Sequence, residues 1–258
     1  MEKYYYLVFS TRLGMATKAA VLIFGTGGIG RCLAQRLAKR GTPIHLVGRS
    51  QDRVAPLAAE LGAPFTLLDC AEPEAVEAGV AALAATTPLR GLVYAVGSIP
   101  LKPLKATSAA DFTSAWRLNF LSAALAVKAA APALSAEGGS VVLFSTVACA
   151  QGFPNHAAIA SAKGALEAFT RSAAAEYAPR LRVNCIAPSL SDTPLAARMT
   201  SSEAMKKALG EAHPLGRLGT AADSAAMAEW LLDPAWGGWV TGQVYAVDGG
   251  RSTLRPKN

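Results

Sequence analysis

The sequence predicts an α/β protein with one doubly wound parallel sheet of about seven strands and helices on both faces. Apolar runs alternate with amphipathic helical segments from Lys18 onward, and 52% of the 258 residues are hydrophobic. A glycine-rich turn follows the first apolar run directly and opens the first helical segment. Strands that alternate with helices form parallel βαβ units, and their strands are continuous apolar runs because both faces are buried.

Each predicted strand is a short aliphatic run between turn-forming or polar residues. The predicted strands are Ala19–Phe24, Ile44–Val47, Phe65–Leu68, Leu92–Val96, Val141–Phe144, Leu181–Ile186 and Val244–Val247. The predicted helices carry one apolar face or begin at a capping residue. They are a segment from Ile29 that ends at Gly41, Asp52–Leu61, a helix beginning near Pro73, Ser108–Leu134, Ala157–Tyr177 and Ala221–Leu232.

The chain is predicted to form a single domain over residues 15–258, with no linker. Within it, residues 189–212 are expected to form a loop and short helix that cover the carboxyl ends of the strands. Residues 1–14 precede a second methionine, Met15, and are interpreted as a leader or tag-like segment outside the fold. Their apolar stretch, Tyr4–Phe9, is too short to cross a bilayer, and an extra edge strand is the alternative.

Charge and composition narrow the expected partners to small molecules. The formal net charge is +7, but Lys and Arg are scattered singly rather than in basic runs with interleaved aromatics, which argues against nucleic acid. No membrane segment is expected, and an anionic ligand such as a phosphorylated cofactor explains the basic balance more simply. Four cysteines and three histidines form no metal-binding spacing, so no metal is predicted. Reduced thiols and the lack of a recognisable signal peptide favour a cytoplasmic location.

The glycine-rich turn is the predicted phosphate site of a Rossmann-type dinucleotide fold. It places Gly25, Gly27, Gly28, Ile29 and Gly30 between a strand and a helix, where backbone N–H groups at a helix N-terminus can face a pyrophosphate. The alternative is an ordinary helix-start turn, although four glycines are more than such a turn requires.

The ends of the next two strands bear on which dinucleotide binds. NAD-binding folds usually carry an acid after the second strand, which accepts from the ribose 2′-hydroxyl. This chain has Arg49 there, a bidentate donor suited to a 2′-phosphate, so NADP(H) is favoured over NAD(H). A solvated surface arginine is the simpler alternative. Asp69, after the third strand, is expected to meet the adenine edge.

Several short motifs, distributed over nearly the whole chain, together bear on which protein family the chain is similar to. They are Gly97 after the fourth strand, Asn119 within Arg117–Phe120, Gly139–Thr146, Ser161–Ala165, Arg182–Pro188, His213–Gly219, and Thr241–Gln243 with Val247–Gly250. From Met15 to Gly250 the chain thereby resembles short-chain dehydrogenases/reductases of the ketoacyl-reductase or glucose-dehydrogenase kind. The resemblance implies an NAD(P)-dependent oxidoreductase. It assigns Asn119, Thr146 and Lys163 to the active site, and Gly97, Lys163 and Thr193 to the cofactor site.

Several positions depart from the family pattern. The glycine turn is one residue shorter, the asparagines before Gly97 are absent, the serine position is Thr146 preceded by Ser145, and Ser189 replaces a glycine. The largest departure is Ile159, which stands where the family keeps its catalytic tyrosine, four residues before Lys163. A general acid contributes on the order of 10²–10⁴ in rate, so the usual mechanism cannot run here unaided.

Few nearby side chains offer a substitute acid. Tyr94 ends the fourth strand, but it is at least as well explained as a packing residue of the core. His156 precedes Ile159 by three residues, but a lone loop histidine is more often an exposed residue without a catalytic role. Ser161 points away on the helix, and Cys149 is more simply a small apolar filler.

Three hypotheses for function remain. The first is an NADP(H)-dependent reductase of a small carbonyl or alcohol substrate whose proton comes from an unusual source, such as a lysine-bound water. The second is a reductase of conjugated alkenes, and the third is a non-catalytic NADP-binding sensor or partner subunit. Oxidoreductase activity is the favoured one. The resemblance also implies a homotetramer or homodimer, since helices equivalent to Ser108–Leu134 and Ala157–Tyr177 pair in family dimers. The resemblance likewise implies a second interface, formed by the last strand and the helix Ala221–Leu232.

Overall fold

The computed structural model of the protein describes residues 19–255, so the interpretation of residues 1–14 lies outside the described residues. The described chain forms a seven-stranded parallel sheet in the order β3-β2-β1-β4-β5-β6-β9. Its strands are β1 (Ala20–Phe24), β2 (Ile44–Gly48), β3 (Phe65–Leu67), β4 (Leu89–Tyr94), β5 (Ser140–Phe144), β6 (Arg182–Pro188) and β9 (Val244–Val247). The predicted doubly wound fold is confirmed, and the chain order reverses at β1, where the sheet grows first to one side and then to the other.

Helices cover both faces of this sheet. They are α1 (Gly28–Lys39), α2 (Gln51–Leu61), α3 (Pro73–Ala84), α4 (Ala109–Trp116), α5 (Ser122–Ala136), α6 (Ala157–Tyr177), α7 (Glu203–Glu211), α8 (Ala221–Leu232) and α9 (Pro234–Gly237). One core cluster packs α3, α5 and α6 on one face, and the other packs α1, α2 and α8 on the opposite face. Strands buried between two helical layers explain the continuous apolar runs of the sequence.

Local sequence fixes several helix boundaries. Ser108 with Asp111 and Thr220 with Asp223 form complete capping boxes at the starts of α4 and α8, as the sequence predicts. The predicted helix from Ser108 runs through Ala136, but a π-helical turn at Arg117–Leu121 separates α4 from α5. By length and composition alone this helix, Ala109–Ala136, is apolar enough to cross a membrane, as core helices of soluble proteins also are.

Most strands differ from their predicted bounds by one or two residues, and the largest difference is at the start of β4. The sequence predicts Leu92–Val96, whereas β4 spans Leu89–Tyr94. The apolar run is interrupted by Arg90 and Gly91, where the pairing with β1 shifts register, so that Gly91 and not Arg90 pairs with Val21 of β1 and Ser140 of β5. A Cβ on Gly91 would lie 3.0 Å from the Leu232 side chain of α8, so glycine suits the close packing there.

The segment after β6 lies over the carboxyl edge of the sheet. It contains a short parallel pair, β7 (Ser191–Asp192) and β8 (Gly219–Thr220), with α7 between them. Ser202 caps α7 by accepting from the Met205 N–H. Residues 189–212 thus contain β7, a 3₁₀ turn and α7, and they form one wall of the cavity described next.

Candidate cofactor and active site

The glycine turn after β1 has the backbone geometry of an anion-binding loop. Gly25 has φ +97°, and a Cβ on Gly30 would overlap the Gly25 carbonyl oxygen, so both positions require glycine. Gly27 is the N-cap of α1, has open space where a Cβ would lie, and provides no side-chain cap. The first turn of α1 has no acidic residue. Its N-terminal N–H groups are thus free of a side-chain cap and suited to a diphosphate.

Arg49 and Asp69 lie beside this turn, at the same edge of the sheet. Gly48, which ends β2, approaches the Thr26 side chain of the glycine turn, and exposed Arg49 follows it directly. Asp69 lies in an exposed turn two residues beyond β3, where its carboxylate accepts from the Ala71 N–H. Their roles toward a nucleotide stay predictions from the sequence.

A cavity of about 380 Å³ opens between the carboxyl ends of the strands and the 189–212 segment. Its lining includes six of the residues predicted to form the cofactor and active sites, which are Ile29, Gly97, Thr146, Ile159, Lys163 and Thr193, and it also includes Ser145, His156 and Ser189. Gly25, Gly27, Gly28, Gly30, Arg49, Asp69 and Asn119 do not line it. The volume falls within the range of small-molecule sites. Within residues 19–255, no three His, Cys, Asp or Glu side chains group as a metal site requires.

Thr193 joins the 189–212 segment to the cofactor turn. A Cβ on Gly28 would lie 3.0 Å from the Thr193 side chain, so the first turn of α1 and this segment are in close contact. The missing side chain at Gly28 makes that approach feasible, which a strand-and-helix prediction alone does not reveal.

Lys163 is the buried cation of the cavity. Its Nζ donates to the Phe144 carbonyl oxygen at 2.7 Å, and its side chain is only 6% exposed. Burial away from any paired carboxylate lowers the pKa of Lys163 to about 8, because the charged ammonium is poorly solvated there. Lys163 therefore gives the cavity lining an ammonium group that can release a proton near neutral pH.

Asn119 lies behind the cavity wall rather than in it. Its Nδ2 donates to the Ala115 carbonyl and to Ser98 Oγ, and its Oδ1 accepts from the Ser98 N–H. A Cβ on Gly97 would lie 3.0 Å from Asn119 Oδ1 and 3.6 Å from Lys163 Nζ. The fold thus brings Gly97, Asn119 and Lys163 together, with the Asn119 amide bonded to Ser98 and to the Ala115 carbonyl.

Thr146 and Ser145 play different structural parts. Thr146 lines the cavity and caps a short 3₁₀ turn through its Oγ1, which accepts from the Ala148 N–H at 3.3 Å. Ser145 Oγ donates to Glu167 Oε1 at 2.5 Å and lies 3.4 Å from Cys149 Sγ. Thr146 is consequently the hydroxyl with fewer strong partners, whereas Ser145 is held by a carboxylate.

Ile159 faces the cavity from α6, one helical turn before Lys163. It is 4% exposed and lies in the part of the lining formed by apolar side chains. Ser161 points outward and bonds its own helix at the Ala157 carbonyl, as the helical spacing predicts. Cys149 does not line the cavity.

The two substitute acids considered from the sequence lie in different places. Tyr94 is fully buried in the core, where its hydroxyl donates to the Leu118 carbonyl at 3.0 Å and it does not line the cavity. Burial raises its pKa well above its usual range. The packing interpretation of Tyr94 is therefore the one that the structure supports. His156 lines the cavity, with its Nδ1 2.7 Å from the Pro154 carbonyl oxygen.

One polar pair of the lining is not predicted from the sequence. Ser189 Oγ lies 2.8 Å from His213 Nε2, and His213 Nδ1 lies 2.9 Å from the Leu209 carbonyl oxygen. A carbonyl only accepts, so in neutral His213 Nδ1 carries the proton and Ser189 donates to Nε2. The only signal in the sequence is the serine that replaces a family glycine, and pairing across 24 residues needs the fold.

The fold and this cavity define a dinucleotide-binding oxidoreductase domain of the doubly wound type. A protein-family model described as enoyl-(acyl carrier protein) reductase matches residues 24–252. The chain belongs to the short-chain dehydrogenase/reductase family, as its sequence motifs suggest.

Relatives and solved structures agree with this assignment. The chain is 31% identical over 248 residues to a tropinone reductase homologue of Arabidopsis thaliana, covering 93% of this chain and 94% of that protein. It is 32% identical to carbonyl reductase family member 4 of Danio rerio, covering 92% and 99%. A putative NAD(P)-dependent gluconate 5-dehydrogenase from Beutenbergia cavernae, solved with bound NADP at low occupancy, superimposes with a TM-score of 0.87 at 29% identity, covering 92% and 98%. These similarities support use of an NAD(P) cofactor.

Proposed function

We propose that the protein is an NADP(H)-dependent oxidoreductase that acts on a small carbonyl, alcohol or enoyl substrate and takes its proton from a group other than tyrosine. The observation that carries this proposal is the cavity itself. The cavity is lined by Ile29 of the cofactor turn and by Thr193, which contacts that turn. The same cavity is lined by the buried Lys163 and by the Thr146 hydroxyl.

The preference for NADP(H) rests on the chemistry after β2. The exposed guanidinium of Arg49 can form two parallel hydrogen bonds to a phosphate. No carboxylate lies within two residues of Arg49 in the sequence, and the first one after it is Asp52. The bound dinucleotide would supply the hydride, and Gly27, Gly28 and the N-terminus of α1 would hold its phosphates.

The proton is assigned to the ammonium of Lys163, relayed through water in the cavity. Its pKa of about 8 leaves a useful fraction in either protonation state near neutral pH. Thr146 Oγ1 would donate a hydrogen bond to the substrate oxygen, and Ile159 would exclude bulk water on that side. Relatives named as tropinone and carbonyl reductases favour a carbonyl substrate, whereas the matching family description favours an enoyl one.

A non-catalytic NADP-binding protein, acting as sensor or partner subunit, is the second candidate. The observation that favours it is the apolar side chain of Ile159 in the cavity lining, one helical turn from Lys163. Family membership alone does not establish activity, because one fold hosts many functions.

A substrate screen separates the two candidates. NADPH oxidation is followed with panels of ketones, aldehydes and conjugated enoyl compounds, and NADPH binding is measured calorimetrically on the same preparation. Turnover of one panel identifies the reductase class. Tight NADPH binding with no turnover of either panel contradicts the catalytic proposal and favours the second candidate.

A further inference from the structure

The cavity has two ends, and they differ in chemistry. Near α1 it is bounded by Ile29, Gly97 and Thr193, whereas at the other end it is bounded by Phe153, His213 and Arg251. Arg251 lies four residues beyond β9, and β9 is four strand positions from β1 in the sheet. At about 4.8 Å per strand this separation is roughly 19 Å, so Arg251 is remote from the phosphate turn after β1.

Arg251 is held in place but keeps most of its donors. Its Nη1 donates to the Ala212 carbonyl at 2.8 Å, and its guanidinium carbon lies 5.7 Å from the centroid of the Phe153 ring. The Phe153 ring in turn lies 5.4 Å from the ring of His156. A guanidinium has five N–H donors, and one is used in these contacts. Among residues 19–255 no carboxylate lies within ion-pair distance of Arg251.

The cavity lining as a whole, within residues 19–255, has cationic side chains and no carboxylate. Among its described residues, Lys163 and Arg251 are cationic, and none is Asp or Glu. The acid nearest to Arg251 in sequence, Asp248, accepts hydrogen bonds from the Gly250 and Ser252 N–H groups and from the Ser252 hydroxyl, so it is already satisfied. A half-buried guanidinium with unused donors in a cavity without acids is a binding site for an anion.

The walls between the two ends are apolar. Leu195, Met199 and Leu209 from the 189–212 segment and Ile159 from α6 contribute aliphatic side chains. We infer that this cavity takes a carboxylic acid with an apolar body, and that Arg251 binds its carboxylate. The inference rests on the proposed function in treating that acid as the substrate, with its reacting group near Lys163 and Thr146.

Equilibrium binding tests the anion site without requiring turnover. Unbranched carboxylic acids of increasing chain length and the primary alcohols of matched length are titrated calorimetrically into the protein saturated with NADP⁺. We expect at least one acid to bind about ten-fold or more tightly than its alcohol, since a charge-assisted hydrogen bond contributes roughly 1.5–3 kcal/mol. Acids that bind no better than alcohols, or not at all, overturn the inference.

Variants assign the effect to Arg251. Arg251→Met keeps the length of the side chain and should abolish the preference for acid, whereas Arg251→Lys should keep part of it. Arg255→Met removes an exposed arginine nearby and should leave the preference unchanged. Unaltered NADP⁺ affinity shows that each variant is folded, and a preference that survives in Arg251→Met overturns the inference.

A turnover experiment separates this inference from the proposed function. Oxo acids and their methyl esters are compared as substrates in NADPH oxidation, and a KM lower for the acids that rises in Arg251→Met supports both. Acid binding that depends on Arg251 together with no reduction of any oxo acid supports the anion site and contradicts the oxidoreductase proposal.

Discussion

Ile159 and Lys163 together define what this site can do at the scale of single residues. They lie one helical turn apart on α6, both line the cavity, and only the second can exchange a proton. A tyrosine at 159 would place its hydroxyl near the Lys163 ammonium, which would lower the phenol pKa from its usual value of about 10.

Ile159→Tyr should therefore raise carbonyl reduction, by up to on the order of 10²–10⁴ if the pocket lacks only its acid. Ile159→Phe is the matched control, because it adds the ring without the hydroxyl. Rates are compared over a broad carbonyl panel at saturating NADPH. A Tyr variant that binds NADPH normally yet is no faster than the Phe variant would contradict the expectation and favour the enoyl or non-catalytic hypotheses.

Lys163 predicts a specific pH dependence. If its ammonium supplies the proton, reduction at saturating NADPH should fall as the pH rises through about 8, where the buried lysine loses its charge. Lys163→Arg should lower reduction at every pH, since a guanidinium keeps its charge but does not release its proton. The same shift should make the folded chain more stable with rising pH between about 8 and 10.5, because the unfolded chain alone keeps the proton there. A flat rate profile across that range would exclude Lys163 as the source.

Arg49 predicts the choice of dinucleotide. Arg49→Ala should weaken NADPH binding by about ten-fold or more while NADH binding changes little, because only NADPH carries the 2′-phosphate that the guanidinium would contact. Calorimetric titration of both dinucleotides measures the two effects. Lys39→Ala, at an exposed position in the last turn of α1, is the control. Equal losses for NADPH and NADH would refute the specificity argument.

At the scale of elements, the link between β6 and α7 controls the far wall of the cavity. Ser189 follows β6 directly, and His213, just after α7, bonds both Ser189 and the Leu209 carbonyl of α7. The segment is also held by the Arg251 side chain, which donates to the Ala212 carbonyl, so the Ser189–His213 hydrogen bond is one of several restraints on its opening.

Ser189→Ala should make the 189–212 segment open more often. Loss of one buried hydrogen bond costs about 0.5–1.5 kcal/mol, which corresponds to roughly two- to twelve-fold faster amide exchange there. Hydrogen–deuterium exchange with peptide resolution measures the change, and peptides from α2 serve as the internal reference. Unchanged exchange in α7 would show that other contacts hold the segment.

The elements also show how far sequence reasoning reaches. Alternating apolar runs and helix caps at Ser108 and Thr220 predict the fold class, because burial and capping are local properties. The π-helical turn that carries Asn119 cannot be predicted from the sequence, because the alanine-rich helix around it has no residue pattern that distinguishes this turn. Likewise, the Ser98 contacts that occupy the Asn119 amide join residues 21 apart, and only the packed structure brings them together.

For the molecule as a whole, exposed aromatic side chains lie where the family resemblance implies subunit contacts. Trp116 on α4 is 41% exposed, and Trp236 and Trp239, just beyond α8, are 66% and 100% exposed. Large apolar side chains of this kind are costly in water and are enriched at subunit interfaces.

We expect a homotetramer with two kinds of two-fold interface, one formed by α4, α5 and α6 and the other by α8 and β9. Each interface is isologous, so a single charged substitution acts twice across it. Trp239→Glu should therefore split the tetramer into dimers through the α8 side, whereas Met205→Glu, at an exposed position on α7, which belongs to neither interface, should leave the assembly intact. Light scattering at micromolar concentration measures the mass. A stable monomer in the unmodified protein would refute the assembly, and a Trp239→Glu protein that stays tetrameric would refute the role of the α8 side.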